Sequence, residues 1–396
     1  MRILHIITRL ILGGAQQNTI LSCAAQHAAG YDVHLAYGPI HGPEGSLLPE
    51  ALASGATLHE IPSMVRAIHP LKDLRCHHQL RQRIHQLKPD IVHTHSSKAG
   101  ILARSAAWKA LRRHRSGTTA RTNGTVIHTV HGLPWYDQQN PLVRNLYINL
   151  ERTAATRCDH LIAITPAMAD TFVQANITTA NRFTIIPSGV DLTPYNQLNH
   201  TTARQQLRDQ LGLPHNTTLV ALVARLDPLK GHRDLIAAFT QIAAQHPSTH
   251  LVFIGDGFDR SAIEQAATAS PAAPRIHFAG LIPLTDMPQV YAGLDIVALP
   301  SYQEGQSRVL VEALAAGCLT LAYDAGGIPD VLAPTGTTVP VADTNALAHE
   351  LSNLIHLLNT PQAEARRAAG RQHAQTHYSA ETMNQQLLDL YHQLRS

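Results

Sequence analysis

The chain has 396 residues, of which 44% are apolar, 15% charged and 5% aromatic. This length suggests two domains, with three as the alternative. The apolar fraction supports packed cores and excludes a mainly disordered chain. The four cysteines stand far apart and form no CxxC pair. Their spacing excludes a disulfide scaffold and a zinc ribbon, and it favours a reducing compartment.

The formal net charge is only +3, but the charge is unevenly divided along the sequence. Residues 1–190 carry 19 lysines and arginines against 10 acidic residues, whereas the remainder carries 12 against 18. Such a division is typical of nucleic-acid binders and equally of enzymes that work at an anionic membrane, so charge alone does not decide. The 26 histidines would strengthen the positive field at mildly acidic pH.

Membrane-spanning and secretory segments are not predicted. No stretch reaches the roughly 18 consecutive apolar residues that a membrane-spanning helix needs. The first ten residues, MRILHIITRL, are typical of a strand and lack the apolar core and cleavage site of a signal peptide. We therefore expect a cytoplasmic protein.

Short β-branched runs alternate with longer amphipathic stretches along the chain. Apolar residues at 3.6-residue spacing predict helices such as 74–87 and 142–156. Strands are predicted at residues 3–7, 32–36, 57–61, 91–94, 126–130, 160–164, 183–186, 219–224, 250–254, 275–279, 296–299, 319–322 and 337–339. The repeated strand–helix–strand order predicts parallel sheets covered by helices on both faces.

All these strands in one sheet would be unusually wide, so two doubly wound, Rossmann-like α/β domains are predicted. The boundary is placed in residues 187–216, which are rich in Pro, Gly, Asn and Thr and interrupt the strand–helix rhythm. We predict a first domain at 1–190, a second at 191–375, and a terminal helix at 376–396. This helix is expected to brace the first domain, with completion of the second as the alternative. Ligands bind outside the carboxyl ends of parallel strands, so two facing sheets would form an interdomain cleft.

Two loops of the first half follow predicted strands and carry residues suited to ligand contact. Gly13 and Gly14, followed by Gln16, open a helix where paired glycines let the backbone approach a ligand. An ordinary tight turn is the equal alternative, because the GxGxxG dinucleotide fingerprint is incomplete here. His131 precedes a glycine at the end of another strand, where it would donate to a bound hydroxyl or take its proton. Among so many histidines, an inert side chain is the alternative.

A third loop, HTHSSKAG at residues 93–100, joins a predicted strand to a helix. Ser96, Ser97 and Lys98 would surround the helix N-terminus and form an anion site. His93 and His95 are expected to point to opposite faces of the strand, which argues against joint metal ligation. The sequence has no DxD or HExxH motif, and we expect no metal.

The loop ARLDPLKG, residues 224–231, follows the first predicted strand of the second half. Arg225 and Lys230 are spaced to clamp a diphosphate, Arg225 through its guanidinium fork and Lys230 as a point charge. The loop is not a Walker loop, because GxxxxGK[ST] is absent. Two solvated surface cations are the alternative interpretation.

The most informative segment is residues 300–317, PSYQEGQSRVLVEALAAG. Ser307 is predicted to cap a helix that ends at Gly317, and the free amides at the start of that helix suit a phosphate. Glu304 before the helix and Glu312 within it would accept hydrogen bonds from sugar or ribose hydroxyls. The alternative makes Glu304 a loop charge and Glu312 a solvated helix residue.

A basic run, KALRRHR at residues 109–115, continues at Arg121. A solvated face is the default interpretation for such a run. Contact of Arg112, Arg113 and Arg115 with anionic lipid is the next, at about 1 kcal/mol for each basic residue near the surface. Nucleic-acid binding is disfavoured because aromatic residues are not interleaved with the charges.

Taken in order, these segments resemble the family 4 retaining glycosyltransferases, which have the GT-B fold of two facing Rossmann-like domains. The resemblance rests on GGAQ, HTHSSKAG, TVHG, IPSGVD, ARLDPLKG, GDG and EGQSRVLVEALAAG. The ordered set is specific, although each member alone is not. The HTHSSKAG segment looks most like that of transferases of bacterial capsule, exopolysaccharide or O-antigen assembly.

The resemblance implies a role for each matching residue. The donor diphosphate would be bound by Arg225, Lys230, Gly14 and Ser307. The donor sugar would be bound by Glu304, Gly305 and Gln306, and the ribose by Glu312. His131 and Glu304 become the catalytic candidates. The acceptor-side candidates are Gly13, Gln16, Ser96, Ser97 and Lys98.

The resemblance also implies a reaction. A sugar would move from a nucleotide-diphosphate sugar with retained anomeric configuration, without a metal or other cofactor, because cationic side chains and a helix dipole carry the leaving-group charge. The acceptor would be a glycan or a polyprenyl-diphosphate-linked glycan at an anionic membrane surface. The resemblance thus implies a cytoplasmic protein that is peripheral at the inner face of the cytoplasmic membrane, and nucleic acid is not an expected partner. A sugar-nucleotide epimerase of the same architecture and a non-catalytic sugar-nucleotide-binding subunit are the alternatives.

Overall fold

The computed structural model describes residues 1–40, 45–111, 124–135 and 139–395. The chain forms two compact units, one of Met1–Gly189 with Ala380–Ser396 and the other of Val190–Ser379. The chain passes from the first unit to the second after Gly189 and returns to the first after Ser379. The sequence predicts these two boundaries after residues 190 and 375. Within the described ranges, no helix combines the length and the apolar character needed to cross a membrane.

The first unit contains a seven-stranded parallel sheet in the order β3-β2-β1-β4-β5-β6-β7. Its strands are β1 (Arg2–Arg9), β2 (Asp32–Gly38), β3 (Thr57–Glu60), β4 (Ile91–His95), β5 (Thr125–Val130), β6 (His160–Ala163) and β7 (Phe183–Ile185). Its helices are α1 (Gly14–Ala28), α2 (Leu48–Ala53), α3 (Pro70–Leu87), α4 (Ser97–Leu111), α5 (Pro141–Ala155) and α6 (Pro166–Gln174).

Both faces of this sheet are buried, and β1 shows how the sequence achieves this. Leu4 and Ile6 join the apolar cluster that contains residues of α3 and α4. Ile3 lies on the opposite face, where it packs with residues of the terminal helix, Ala380–Arg395. Because side chains alternate along a strand, a nearly continuous apolar run is needed to cover both faces. The terminal helix thus completes the core of the first unit.

The second unit contains a six-stranded parallel sheet in the order β10-β9-β8-β11-β12-β13. Its strands are β8 (Thr218–Val223), β9 (Thr249–Ile254), β10 (Ile276–Gly280), β11 (Ile296–Leu299), β12 (Leu319–Tyr323) and β13 (Thr337–Val339). Its helices are α7 (His200–Gln210), α8 (His232–Ile242), α9 (Arg260–Ala269), α10 (Met287–Gly293), α11 (Arg308–Ala315), α12 (Ile328–Leu332), α13 (Thr344–Leu357) and α14 (Pro361–Tyr378). The terminal helix, Ala380–Arg395, is α15. Two Rossmann-like α/β units confirm the predicted fold class.

The segment 187–216, where the strand–helix rhythm of the sequence is interrupted and the domain boundary is predicted, contains helix α7. Asn199 caps this helix, with its side chain accepting a hydrogen bond from the Thr202 amide. The sequence HTTARQQLRDQ has few apolar residues, so its helical periodicity is weak. The helix is stabilised instead by tertiary packing, because Ala203 is buried and Leu207 packs into the core of the second unit.

A buried ion pair fixes α7 to the sheet of the second unit. Arg208 is fully buried and donates to Asp295 Oδ2 at 2.8 Å, to the Thr217 carbonyl at 2.8 Å and to the Gly293 carbonyl at 2.8 Å. Asp295 Oδ2 also accepts from the Leu219 amide at 2.9 Å. Both charges are therefore paired, as burial requires.

We expect Asp295→Ala to lower the free energy of unfolding by about 3–5 kcal/mol, because it leaves the Arg208 guanidinium buried without its carboxylate. Urea unfolding followed by far-UV circular dichroism measures this loss. The matched control is Asp209→Ala on α7, whose side chain is 66% exposed. It should cost less than about 1 kcal/mol. Equal effects of the two substitutions would contradict the structural role of Asp295.

Candidate active site

The loop between β8 and α8 carries two of the predicted donor-binding residues. Asp227 caps the short 3-10 turn Pro228–Lys230 by accepting from the Leu229 amide at 3.0 Å. The Arg225 side chain is 78% exposed, and its guanidinium lies 3.9 Å from the Asp227 carboxylate. The Lys230 side chain is only 21% exposed. Lys230 is therefore held in a defined position, whereas Arg225 stands in solvent.

The loop between β11 and α11 meets the Lys230 turn. Ser307 caps α11, with its hydroxyl accepting from the Leu310 amide at 3.4 Å. Gly305 and Gln306 are half-buried in the same loop. Lys230 Nζ lies 2.6 Å from Glu304 Oε1, in a partly buried ion pair. The structure thus brings together the predicted diphosphate cation and the predicted sugar-binding carboxylate at the carboxyl edge of the second sheet.

Two glycines permit this contact. Gly231 has a φ of +70°, and a Cβ there would lie 2.0 Å from the Pro300 carbonyl oxygen. Gly326 has a φ of +58°, and a Cβ there would lie 1.9 Å from the Glu304 carbonyl oxygen. Any side chain at either position would push the Glu304 loop away. Sequence reasoning did not assign Gly326 to the site, although its GG turn with Gly327 was a visible signal.

Glu312 lies on α11, and its side chain is 19% exposed. Its carboxylate is 3.8 Å from the Arg308 guanidinium of the preceding turn. Burial raises the pKa of Glu312 above its usual range, and Arg308 partly opposes that rise. The interpretation of Glu312 as a solvated helix residue is therefore wrong. A half-buried carboxylate at this position suits hydroxyl recognition.

The first unit has a pocket of about 250 Å³ at the carboxyl edge of its sheet. Residues from three predicted loops line it, among them Ala15, Ser96, Ser97 and His131. Ala15 follows Gly13 and Gly14, which begin α1, and precedes Gln16. The structure therefore brings the α1 turn, the start of α4 and His131 to one concave surface.

The Lys98 side chain pairs with residues outside the predicted anion site. Its ammonium lies 2.7 Å from the Asp73 carboxylate of α3 and also donates to the Ala67 carbonyl. The side chain is only 15% exposed, and Lys98 does not line the pocket. Lys98 therefore ties α4 to α3, whereas Ser96 and Ser97 remain as acceptor-side candidates.

His93 and His95 lie on the same face of β4, so the expectation of opposite faces is wrong. Residues two apart in a strand share a face, because the side-chain period is two. Ligand nitrogens of His5, His93 and His95 lie within 4.8 Å of one another, a spacing that could hold a metal ion. However, each ring nitrogen of these three residues already has a hydrogen-bonding partner at 2.5–3.0 Å. His5 and His95 are therefore hydrogen-bonded to each other, whereas His93 bonds to Tyr391 and Thr129.

The hydrogen-bonded pair His5–His95 continues to His131. His95 Nδ1 lies 3.0 Å from His131 Nε2. The His131 Nδ1 atom is buried and makes no hydrogen bond to the residues that the structure describes. Burial lowers the pKa of His131 to about 4, so its ring is neutral at pH 7. His131 thus brings an uncharged imidazole to the pocket.

Most of the basic run lies outside the described residues, including Arg112, Arg113, Arg115 and Arg121. Lys109, the first residue of the run, lies near the end of α4. It lines a surface groove of about 670 Å³ together with Arg75 and Arg81 of α3. The described part of the first unit therefore has a basic groove of its own.

Sequence matches cover most of the chain. Residues 12–194 match the sequence model described as Glycosyltransferase Family 4, and residues 203–373 match that described as Glycosyl transferases group 1. The GDP-mannose-dependent monoacylated alpha-(1-6)-phosphatidylinositol monomannoside mannosyltransferase of Corynebacterium glutamicum is 33% identical over 52% of this chain and 55% of its own length. The UDP-Gal:alpha-D-GlcNAc-diphosphoundecaprenol alpha-1,3-galactosyltransferase of Escherichia coli is 27% identical, over 80% and 77%. The chain thus spans little more than half of the first relative.

Solved structures share the fold over nearly the whole chain. Anabaena HepE in complex with UDP has a TM-score of 0.82 at 21% identity, covering 99% of this chain and 100% of that one. A Rickettsia africae glycosyltransferase has a TM-score of 0.80 at 18% identity, covering 99% and 98%. The two parallel sheets and these structures show the GT-B fold. Within it, the chain has a Glycosyltransferase Family 4 domain followed by a Glycosyl transferases group 1 domain.

Proposed function

We propose that this protein is a retaining glycosyltransferase that moves a sugar from a nucleotide-diphosphate sugar to a glycan or lipid-linked glycan in surface polysaccharide synthesis. The observation that carries the proposal is the Lys230–Glu304 pair beside the capped start of α11. It offers a cation for the diphosphate and a carboxylate for sugar hydroxyls within one loop cluster. The amides at the start of α11 add a site for negative charge.

The donor would be held mainly by the second unit. Lys230 and Arg225 bind the diphosphate, and Glu312 accepts from the ribose hydroxyls. The exposed Arg225 side chain closes on the diphosphate when the donor binds. Glu304 then releases Lys230 in part and accepts from the hydroxyls of the transferred sugar. Since the cations and the α11 amides carry the leaving-group charge, transfer needs no metal.

The names of relatives support this class of donor and acceptor. The Corynebacterium glutamicum relative is named for GDP-mannose, the Escherichia coli relative for UDP-Gal and a diphosphoundecaprenol acceptor, and HepE is solved with UDP. A nucleotide-diphosphate sugar is common to the first two. We therefore expect a UDP- or GDP-sugar as donor and a polyprenyl-diphosphate-linked glycan as acceptor.

A panel of UDP- and GDP-sugars tests the proposal in two stages. A nucleotide at 100 times its dissociation constant should stabilise the protein by about 2.7 kcal/mol, which thermal unfolding detects. The donor so identified should release nucleoside diphosphate only with an acceptor present and equally well in EDTA, and NMR of the product should show the donor's anomeric configuration. Interconversion of donors without acceptor would identify an epimerase, and binding without turnover a non-catalytic subunit.

The acceptor lipid would be met through α3. Ile68, Leu71 and Leu74 are 65%, 69% and 69% exposed near the start of this helix. Arg75 lies directly after Leu74, and with Arg81 it lines the basic groove. Exposed leucines beside cations suit the interface of an anionic membrane, where apolar groups insert and basic groups meet phosphates.

We expect the protein to bind vesicles of phosphatidylglycerol and not vesicles of phosphatidylcholine. Arg75→Ala should weaken binding about fivefold, since one basic residue near the surface contributes about 1 kcal/mol. Leu71→Ser with Leu74→Ser should weaken it further. The matched control is Leu281→Ser, which changes a 79% exposed leucine in the second unit. Vesicle sedimentation measures all four proteins, and unchanged binding of the α3 variants would refute this surface.

A further inference from the structure

A chain of hydrogen bonds leads from Gln26 on α1 to His131 in the pocket. Gln26 Oε1 lies 2.8 Å from His5 Nε2, His5 Nδ1 lies 2.9 Å from His95 Nε2, and His95 Nδ1 lies 3.0 Å from His131 Nε2. His5 and His95 are fully buried on the inner strands β1 and β4. Three imidazoles are thus hydrogen-bonded in a row. Both ring nitrogens of His5 and of His95 have a partner, whereas only Nε2 of His131 has one among the described residues.

The proton positions in this row follow from its first member. A carbonyl oxygen only accepts, so His5 carries its proton on Nε2, and its Nδ1 must accept. His95 then donates from Nε2 and accepts at Nδ1, and His131 donates from Nε2. A neutral imidazole has one N–H, so His131 Nδ1 keeps its lone pair. Burial lowers the pKa of both His5 and His131 to about 4, which keeps these rings neutral at pH 7.

We propose that Gln26, acting through His5 and His95, is a positioning residue that fixes His131 as the tautomer with its lone pair on Nδ1. Because His131 lines the pocket and Nδ1 is its nitrogen without a partner among the described residues, we expect Nδ1 to accept from a sugar hydroxyl. This decides between the two roles open to the residue, donor or acceptor. The identity of the hydroxyl as that of a sugar rests on the proposed function, whereas the tautomer does not.

We call the hydrogen-bonded row from Gln26 through His5 and His95 to His131 a clamp, because it holds His131 in one tautomer. It does not carry protons to solvent. It ends at an amide oxygen, which does not take up a proton at neutral pH. Gln26 also stands eleven residues beyond Ala15 on α1, about 16 Å along the helix axis. A substitution at Gln26 therefore changes the clamp without touching the α1 residue that lines the pocket.

The decisive measurement is ¹⁵N-resolved NMR of the histidine rings in the wild-type protein at pH 7. We expect His131 to show a protonated Nε2 and an unprotonated Nδ1. A proton on His131 Nδ1 would mean that the Gln26 amide has the opposite orientation and would overturn the proposal. Zn²⁺ added to the sample should leave the rings of His5, His93 and His95 unchanged, and their loss or shift would also overturn it.

Variants of Gln26 test whether the clamp acts on the site. Gln26→Met keeps the volume but removes the acceptor, so we expect both His131 tautomers in the spectrum. If half of the His131 rings adopt the tautomer without a lone pair on Nδ1, kcat/KM should fall about twofold, because only half of the molecules remain competent. Gln26→Glu keeps an acceptor and should restore both the single tautomer and the rate. His5→Leu breaks the row at the next residue and should reproduce the mixed tautomers.

The control is His250→Gln in the second unit, which breaks a similar pair, His250 Nδ1 to His277 Nε2 at 2.8 Å, whose two residues do not line the pocket of His131. It should leave His131 and the rate unchanged. A single His131 tautomer in both Gln26→Met and His5→Leu would refute the clamp. If His131 shows the expected tautomer but the protein transfers no sugar, the proposed function is refuted and the role of Gln26 stands.

Discussion

Acidification should unfold the first unit between pH 6.5 and pH 4. Burial lowers the pKa of His5 and His131 to about 4 and that of His93, His95 and His128 well below the usual 6.5. In this range the unfolded chain binds protons that the folded chain does not, so stability falls as the pH falls. A shift from 6.5 to 4 corresponds to about 3 kcal/mol for His5 alone.

The measurement is urea unfolding at several pH values, followed by tryptophan fluorescence. Both tryptophans, Trp108 and Trp135, belong to the first unit, so the signal reports this unit specifically. Each buried histidine should contribute a slope of about 1.4 kcal/mol per pH unit between its folded and unfolded pKa values. All five groups act in the same direction, so the total loss should be comparable with the 5–15 kcal/mol by which proteins are usually stable.

Two substitutions separate this effect from general acid sensitivity. His131→Asn should reduce the slope by about 1.4 kcal/mol per pH unit, because it removes one group that is neutral when folded and protonated when unfolded. His349→Asn is the control, because it makes the same replacement at a side chain that is 73% exposed. A urea midpoint that is constant from pH 7.5 to pH 5 would contradict the claim that these buried histidines are neutral in the folded protein.

Lys230→Ala should lower kcat/KM for the donor by about 10²–10³-fold, the usual loss when one group that stabilises transition-state charge is removed. The substitution removes the cation proposed for the diphosphate and leaves Glu304 without its partner at 2.6 Å. Steady-state release of nucleoside diphosphate measures the effect, and thermal unfolding shows whether the variant remains folded.

The matched control for Lys230 is Arg233→Ala. Arg233 lies on α8 three residues further along, its side chain is 59% exposed, and it pairs with Asp259 at 3.6 Å. The charge change is the same, so a general electrostatic effect would affect both variants equally. We expect kcat/KM of Arg233→Ala to stay within about threefold of the wild type, since an exposed pair contributes little. Equal losses in both variants would remove Lys230 from the site.

The order of strands and helices could be predicted from the sequence because it depends on local patterns. Buried strands such as β1 are continuous apolar runs, and the capping residue Ser307 and the glycine after α11 mark the ends of that helix. Helix α7 was missed because its apolar residues are few and its stability comes from packing.

Sequence by itself determined the α/β class, the two Rossmann-like units and the loops at the carboxyl edges, since these follow from periodicity and from the geometry of parallel strands. Only the tertiary structure decided which side chains meet. Lys98 pairs with Asp73, Lys230 pairs with Glu304, and α15 completes the core of the first unit across more than 180 intervening residues. Such contacts depend on burial and distance between segments far apart in the chain, and the local spacing of residues does not encode them.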